Sequence, residues 1–281
     1  MQFIDTHQHL IYRDKFGYGW TGDISALKSG DFTLAEYHKV TEGLGISGSI
    51  FMETGVDDAD YQAEARFLAG LIGQPENRIL GQIASCRPEQ DVGFDAWLAE
   101  GDGLQVCGYR RILHVVPDDL SKSTGFRRNI AKIGAKGLAF DMCFLARQLP
   151  IAHELAKACD DQTLVLDHCG VPDIAAGAFG AWAAEISALA ALPHVICKLS
   201  GVSAYCAPRP ATEALLRPWV DHIMQTFGPE RILWGSDWPV VNLGIGLPDW
   251  VKLCRTFLAR LSPNEARAVA FENARRVYRL G

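Results

Sequence analysis

The sequence predicts an α/β fold, a closed (β/α)8 barrel of the TIM type. Eight short apolar runs rich in Val, Ile, Leu and Phe recur along the chain, and we expect each to form a strand. Amphipathic stretches separate these runs, and such alternation is typical of a parallel sheet with crossover helices. Because the runs are almost continuously apolar, a closed barrel is favoured over an open sheet.

The predicted elements follow one another without a low-complexity linker, so we expect one domain over residues 1–281. Strands are predicted near 2–7, 48–53, 79–85, 106–113, 136–142, 163–168, 194–199 and 232–237. Helical patterns cover 58–73, 92–100, 149–161, 177–192 and 211–227. The stretch 10–30 contains four aromatic residues and is predicted as a long loop after the first strand. This loop either covers the mouth of the barrel or packs on its surface.

The composition excludes several classes of protein. A content of 48% hydrophobic and 21% charged residues is typical of a globular chain with a large core. The net charge is −6 and no basic run is long enough to follow a phosphate backbone, so nucleic-acid binding is not expected. No secretory signal and no apolar run of about 18 residues is visible, so we expect a cytoplasmic protein with no membrane partner. The eight cysteines form no CxxC pair, which favours buried, reduced thiols.

Polar side chains are dense at the ends of the predicted strands, where barrels of this type carry their chemistry. The first strand ends in His7-Gln8-His9, and the period of two places both imidazoles on one face together with Asp5. The later strand ends carry Glu53, Ser85, Arg110, Asp141, His168, Lys198, Ser200, Ser236 and Asp237. Four other histidines lie away from these ends and are expected to serve packing or solvent, namely His38, His153, His194 and His222.

Five motifs resemble those of the amidohydrolase superfamily and occur in the same order. They are DTHQH at 5–9, VLDHCG at 165–170, CKLSG at 197–201, WGSDWPV at 234–240 and NARRVYRL at 273–280. The sequence is most similar to the branch of sugar-lactone and pyrone-dicarboxylate lactonases. This resemblance implies a distorted barrel of the amidohydrolase type that hydrolyses ester, amide or lactone bonds. The fifth strand ends in FDM at 140–142 without a histidine, so the two-metal centre of binuclear relatives is not expected.

The resemblance assigns the histidine pair to His7 and His9, the histidine of strand six to His168, and the aspartate of strand eight to Asp237. Two chemical interpretations of this set stay open. In one, the four residues hold a single divalent ion, for which zinc is the first candidate. In the other, the histidines donate hydrogen bonds to a carbonyl oxygen and no metal takes part. In both, Asp237 is the expected general acid and base, which takes a proton from water and returns it to the leaving alkoxide.

The remaining predicted site residues concern a small-molecule substrate. Arg110 is expected to hold an oxygen-rich ring or a carboxylate with its planar guanidinium. Glu53, Asp141 and Lys198 are expected to supply polar contacts, although Lys198 alternatively pairs with a neighbouring acid. Trp238 is expected to form an apolar wall for a sugar ring.

Few cations are expected at the mouth, which favours a neutral substrate over a dicarboxylate. The sequence therefore predicts a lactonase acting on a sugar-acid lactone, such as an L-fucono- or L-rhamnono-type aldonolactone. Three alternatives stay open: a 2-pyrone-4,6-dicarboxylate lactonase, a non-oxidative aromatic acid decarboxylase on the same scaffold, and a non-catalytic sugar-binding relative. An oligomeric assembly also stays open.

Overall fold

The computed structural model describes residues 1–281 and contains one sheet of eight parallel strands in chain order. Their bounds are β1 Phe3–Gln8, β2 Ile46–Met52, β3 Ile79–Ser85, β4 Val106–Ile112, β5 Ala139–Cys143, β6 Leu164–Leu166, β7 Val195–Leu199 and β8 Ile232–Trp234. The predicted barrel is confirmed. Strands β6 and β8 end earlier than expected, because the chain leaves the sheet there to form the turns that carry His168 and Asp237.

Helices surround the sheet and connect successive strands. Their bounds are α1 Leu34–Thr41, α2 Tyr61–Ile72, α3 Phe94–Gly101, α4 Thr124–Ala135, α5 Leu149–Ala158, α6 Phe179–Ala190, α7 Glu213–Phe227, α8 Gly246–Leu258, α9 Pro263–Arg267 and α10 Asn273–Val277. The five predicted helical stretches correspond to α2, α3, α5, α6 and α7. The predicted stretches did not include α1, α4, α8, α9 or α10. In α4, Phe126, Ile130 and Ile133 follow the helical spacing and Ser123 caps the first turn.

Backbone hydrogen bonds join the carboxyl end of β1 to the turn after β8 and thereby close the barrel. The N–H of Asp237 donates to the carbonyl of His7, and the N–H of His9 donates to the carbonyl of Trp238, both at 2.8 Å. The two segments that carry most of the predicted site residues are therefore fixed to one another. Closure of the sheet and placement of the site depend on the same contacts.

Asp5 does not share a face with His7 and His9, so that expectation is wrong. Its carboxylate accepts a hydrogen bond of 2.7 Å from the hydroxyl of Tyr37 on α1. The pairing of β1 with β2 is irregular between Asp5 and Gln8, which breaks the simple alternation of side chains.

The lower part of the barrel is filled by apolar side chains from most of the strands. They include Ile50, Ile83, Val165, Ile196 and Leu233, all of which are buried. Helix α10 and the residues after it pack against this layer through Val277 and Tyr278. Each such fully buried side chain contributes about 1.5–3 kcal/mol relative to an exposed one. This apolar layer, together with α10, closes the end of the barrel that lies opposite the polar strand ends.

All eight cysteines are free, and only Cys107 is more than marginally exposed. This arrangement agrees with the reduced thiols expected from the sequence. None of the helices combines the length and the apolarity that a bilayer crossing requires.

Candidate active site

A cavity of about 500 Å³ lies at the carboxyl ends of the strands. Five of the predicted site residues line it, namely His9, Glu53, Arg110, His168 and Asp237. His7 lies directly beside this group and is fully buried. Three other predicted residues, Asp141, Lys198 and Trp238, do not line the cavity. The expectation that polar groups gather at the strand ends therefore located the cavity, but it did not predict how deep each side chain lies.

Asp237 lies at the centre of the three histidines from β1 and β6. Its Oδ1 atom is 3.4 Å from Nε2 of His9 and 3.8 Å from Nε2 of His7. Its Oδ2 atom is 3.7 Å from Nδ1 of His168. These separations exceed an ordinary hydrogen bond of about 2.7–3.2 Å. They suit donor atoms that face a shared point, because two ligands bound at about 2.0–2.2 Å to one tetrahedral zinc ion lie about 3.5 Å apart.

Unusual backbone conformations direct two of these side chains into the cavity. His168 and Asp237 have φ angles of +53° and +59°, in the left-handed region that non-glycine residues seldom adopt. Cys169 shares this conformation with a φ of +53°. Each such residue costs about 1–3 kcal/mol, and residues of this kind cluster at functional sites. These two side chains are therefore held in place at a cost in stability, which contacts with the surrounding structure offset.

The hydrogen bonds of the histidines fix which ring nitrogens face the site. Nδ1 of His9 lies 2.9 Å from the carbonyl oxygen of Met52, and since a carbonyl only accepts, this nitrogen carries the proton. The other ring nitrogen of His9, Nε2, faces Oδ1 of Asp237. Burial lowers the pKa of His7 well below its usual value and also lowers the pKa of His168. Neutral imidazoles are the form that binds metal ions.

Arg110 reaches the cavity, but its guanidinium is already held by protein acceptors. Its Nε donates to Oε1 of Glu53 at 2.7 Å, and its Nη2 donates to the Glu53 carbonyl at 2.6 Å. Its Nη1 lies 3.4 Å from Oδ2 of Asp167 and 3.3 Å from Nε2 of His7. Burial alone would lower the pKa of Arg110, but Glu53 and Asp167 outweigh it and raise that pKa. Arg110 is therefore a fixed positive charge that orders Glu53 at the edge of the cavity.

Asp141 and Lys198 lie one layer below the cavity, so the expected contact with substrate is not what the structure shows. The Lys198 ammonium donates to Asp141 and lies 3.1 Å from Oδ1 of Asp167. The Tyr278 hydroxyl donates to Oδ2 of Asp141 at 2.9 Å. Burial opposes ionisation of Asp167, but Lys198 and His7 hold its pKa well below the usual range. The alternative expectation, a Lys198 paired with a neighbouring acid, is the arrangement found.

Trp238 is also away from the cavity, which corrects its expected role as a wall. Its ring packs edge-on against Phe32 at 5.6 Å and Tyr37 at 5.4 Å between centroids. Trp20 from the long loop after β1 lines the cavity instead, with Nε1 donating to the carbonyl of Thr54 at 2.9 Å. The loop therefore covers part of the mouth, as one of the two expectations for it stated.

Several cavity residues were not selected from the sequence as site residues. They are Arg87, Arg111, His114, Cys143 and Tyr205. Arg87 and Arg111 are paired with acids, at 2.7 Å to Asp58 and 2.5 Å to Glu89. All but Tyr205 lie within two residues of the last residue of a strand. They would have been selected if the search had included the two residues on either side of each carboxyl end. No comparable signal marks Tyr205, which lies in a turn after β7.

The donor set fits a divalent metal ion. One ligand atom each from His7, His168 and Asp237 lies within 4.8 Å of the others, and all three residues are buried. His9 adds a fourth candidate ligand atom, the nitrogen Nε2, beside the same carboxylate. Nitrogen and carboxylate donors of this kind are typical ligands of zinc. Arg110 and Lys198 accompany four buried acidic side chains, namely Glu53, Asp141, Asp167 and Asp237, and burial raises the pKa of Asp141 to about 7.

Fold and site together define an amidohydrolase. The family model described as Amidohydrolase matches residues 4–280, and the chain belongs to this family. It is 29% identical to the L-fucono-1,5-lactonase of Burkholderia multivorans, over 99% of this chain and 96% of that protein. It is 39% identical to the L-fucono-1,5-lactonase of Burkholderia ambifaria, over 52% of this chain and 51% of that protein.

A solved structure gives the same assignment. The crystal structure of an amidohydrolase from Burkholderia multivorans with bound zinc is similar to this chain with a TM-score of 0.91 and 30% identity, and the match covers 100% of both chains. The resemblance to the lactonase branch that the motifs predicted is thus confirmed.

Proposed function

We propose that the protein is a lactonase that opens the internal ester of a sugar acid, such as an L-fucono- or L-rhamnono-type aldonolactone. The observation that carries this proposal is the convergence of three buried histidines on Asp237 at the mouth of the barrel. The cavity of about 500 Å³ lies within the usual range for small ligands, about 300–1,000 Å³. The relatives named L-fucono-1,5-lactonases support the same substrate class.

In this proposal Asp237 moves the protons of the reaction. Its carboxylate takes a proton from the attacking water while the water oxygen bonds to the lactone carbonyl carbon. It then returns the proton to the ring oxygen as the bond between that oxygen and the carbonyl carbon breaks. Asp237 suits this task because it is almost fully buried and its oxygens face imidazoles rather than a permanent cation.

We further propose that His7, His9, His168 and Asp237 hold one divalent ion, with zinc as the first candidate. Such an ion would polarise the lactone carbonyl and lower the pKa of a bound water. Burial lowers the pKa of His7 and His168, which favours the neutral imidazoles that bind metal ions, and the hydrogen bond that orients the ring of His9 also supports this assignment. The zinc bound in the similar Burkholderia multivorans amidohydrolase supports it independently.

The charges around the cavity favour a neutral substrate. Arg87, Arg110 and Arg111 all line the cavity, more arginines than the sequence suggested, yet each is paired with a protein carboxylate. A dicarboxylate would therefore find no unpaired guanidinium among them. Apolar side chains from Trp20 and Ile112 provide a surface for the less polar face of a sugar ring.

A panel of substrates tests the proposal through the acid that hydrolysis releases. We expect a fall in pH with aldono-1,5-lactones and none with 2-pyrone-4,6-dicarboxylate, and no release of CO2 from hydroxybenzoates. The Asp237→Asn variant serves as the blank. Hydrolysis of the dicarboxylate alone, or release of CO2 from an aromatic acid, would replace the proposed activity with one of the alternatives. An inactive protein that still binds aldonolactones would indicate a non-catalytic relative.

A further inference from the structure

The hydroxyl of Tyr205 lies on the side of Asp237 that faces His168. Tyr205 lies in the short turn Val202–Cys206 that follows β7, and its ring lines the cavity. The ring meets His168 edge-on, with 6.3 Å between centroids and an interplanar angle of 82°. No side-chain hydrogen bond within the protein involves the phenol. An otherwise unpaired hydroxyl in a binding cavity is free to bind substrate.

The space at Gly201 shows how closely these groups converge. A Cβ atom on Gly201 would lie 2.5 Å from Oδ2 of Asp237 and 3.2 Å from the hydroxyl oxygen of Tyr205. The same point is 2.8 Å from Nδ1 of His168. The carboxylate, the imidazole and the phenol therefore surround one point that the glycine leaves free of side-chain atoms.

The two oxygens of Asp237 face different partners. Oδ1 faces the histidine pair of β1, whereas Oδ2 faces His168 and the side of the cavity that carries Tyr205. The phenol is thus separated from the histidine pair that would polarise the carbonyl oxygen. Phenols have a pKa near 10, so the hydroxyl remains protonated at neutral pH and can donate a hydrogen bond.

We propose that Tyr205 is a further catalytic residue, whose hydroxyl donates a hydrogen bond to the ring oxygen of the lactone as that oxygen departs. The inference rests on the lactonase activity proposed above. Water adds to the carbonyl carbon, the bond from that carbon to the ring oxygen breaks, and Asp237 carries the proton from the water to the ring oxygen. Tyr205 keeps its own proton and stabilises the negative charge on the departing oxygen.

The test compares Tyr205→Phe with Tyr109→Phe. Tyr109 is a suitable control because its hydroxyl is buried without a partner and it lies outside the cavity. On an aldono-1,5-lactone we expect kcat of Tyr205→Phe to fall about 100-fold, the effect typical of losing one such donor, while KM changes less than about threefold. Tyr109→Phe should keep the wild-type kcat, and melting temperature and bound zinc should be unchanged in both variants.

A second lactone tests whether Tyr205 donates its hydrogen bond to the ring oxygen of the substrate. In dihydrocoumarin the ring oxygen departs as a phenoxide, which needs less stabilisation than an alkoxide, so we expect Tyr205→Phe to lose less than about fivefold in kcat there. An equal loss on both lactones, or a loss in KM alone, would overturn the assignment. If Tyr205→Phe unfolds, Tyr205→His, which keeps a donor, must retain more kcat on the aldonolactone than Tyr205→Leu, and equal values reject the proposal. A wild-type protein inert to every lactone would remove the proposed function and this role with it.

Discussion

Asp5 and Ser236 are joined by a hydrogen bond of 2.7 Å, in which the backbone N–H of Ser236 donates to Oδ1 of the carboxylate. The same oxygen accepts from the N–H of His7 at 3.1 Å, and the other accepts from Tyr37. A single buried side chain thus connects β1, α1 and the residue before Asp237. One common acceptor thus positions His7 and the residue that precedes Asp237, the proposed general acid and base.

Replacing Asp5 with alanine should therefore destabilise the protein and disturb the site. Three buried donors would lose their acceptor, so we expect the free energy of unfolding to fall by about 3 kcal/mol or more. Denaturant unfolding measures this loss, and the exposed Asp14→Ala provides the control. A change below about 0.5 kcal/mol would show that the three donors find other partners.

The Asp237→Asn variant should separate catalysis from folding. The amide has nearly the shape of the carboxylate but cannot carry the proton, so we expect kcat to fall at least about 100-fold. The melting temperature should change little, because the carboxylate makes no short hydrogen bond that the amide would lose. The exposed Asp249→Asn is the matched control. Retention of most of the activity would exclude Asp237 as the general acid and base.

Metal analysis should find about one divalent ion per chain, held by the four predicted ligands. Removal by a chelator should abolish activity and addition of zinc should restore it. His168→Ala should lose the ion, whereas His153→Ala on α5 should retain it. Full activity in a metal-free preparation would instead favour direct hydrogen bonding from the histidines to the carbonyl oxygen.

Two glycines with almost the same φ angle allow the effect of backbone strain to be separated from that of crowding beside Asp237. Gly201 and Gly177 have φ angles of +68° and +69°, but a Cβ atom would collide with site residues only at Gly201. Both alanine variants should lose about 1 kcal/mol of stability through backbone strain. Only Gly201→Ala should also lose activity, by more than about tenfold. Equal kinetic losses in the two variants would mean that the open space beside Asp237 is not needed.

Glu64 should make stability fall as the pH rises. Burial on α2 raises its pKa to about 8, and the nearby Glu53 adds to the shift. In the unfolded chain the group ionises near 4.5, so between about pH 4.5 and 8 the folded state binds more protons than the unfolded state. Stability conferred by the neutral carboxyl is therefore present below pH 4.5 and is lost as the pH rises through about 8.

The Glu64→Gln variant should lack this dependence. Its free energy of unfolding relative to wild type should increase by on the order of 3 kcal/mol between pH 5 and pH 9. Denaturant unfolding at both pH values measures the difference, and the exposed Glu42→Gln is the control. Parallel pH profiles for wild type and Glu64→Gln would contradict the raised pKa.

The sequence predicted the barrel and the position of the cavity because both follow from strand periodicity. The ends of β1, β4 and β6 place His9, Arg110 and His168 at one mouth, as is typical of barrels of this type. Periodicity does not report depth, however, so Lys198 was expected in the cavity although its ammonium lies below it. Trp238 was misplaced because it follows a residue in the left-handed conformation, which redirects the chain in a way that alternation cannot express.

The hydrogen bond from Tyr278 to Asp141 has a consequence for how the chain matures. Tyr278 and Asp141 are separated by 137 residues along the chain, yet the hydroxyl of the one completes the hydrogen bonds of the other below the cavity. Synthesis must therefore continue through the second half of the barrel before Asp141 gains this partner. A nascent chain that ends before this tyrosine would leave Asp141 with Lys198 as its remaining side-chain partner and would be a target of cellular quality control.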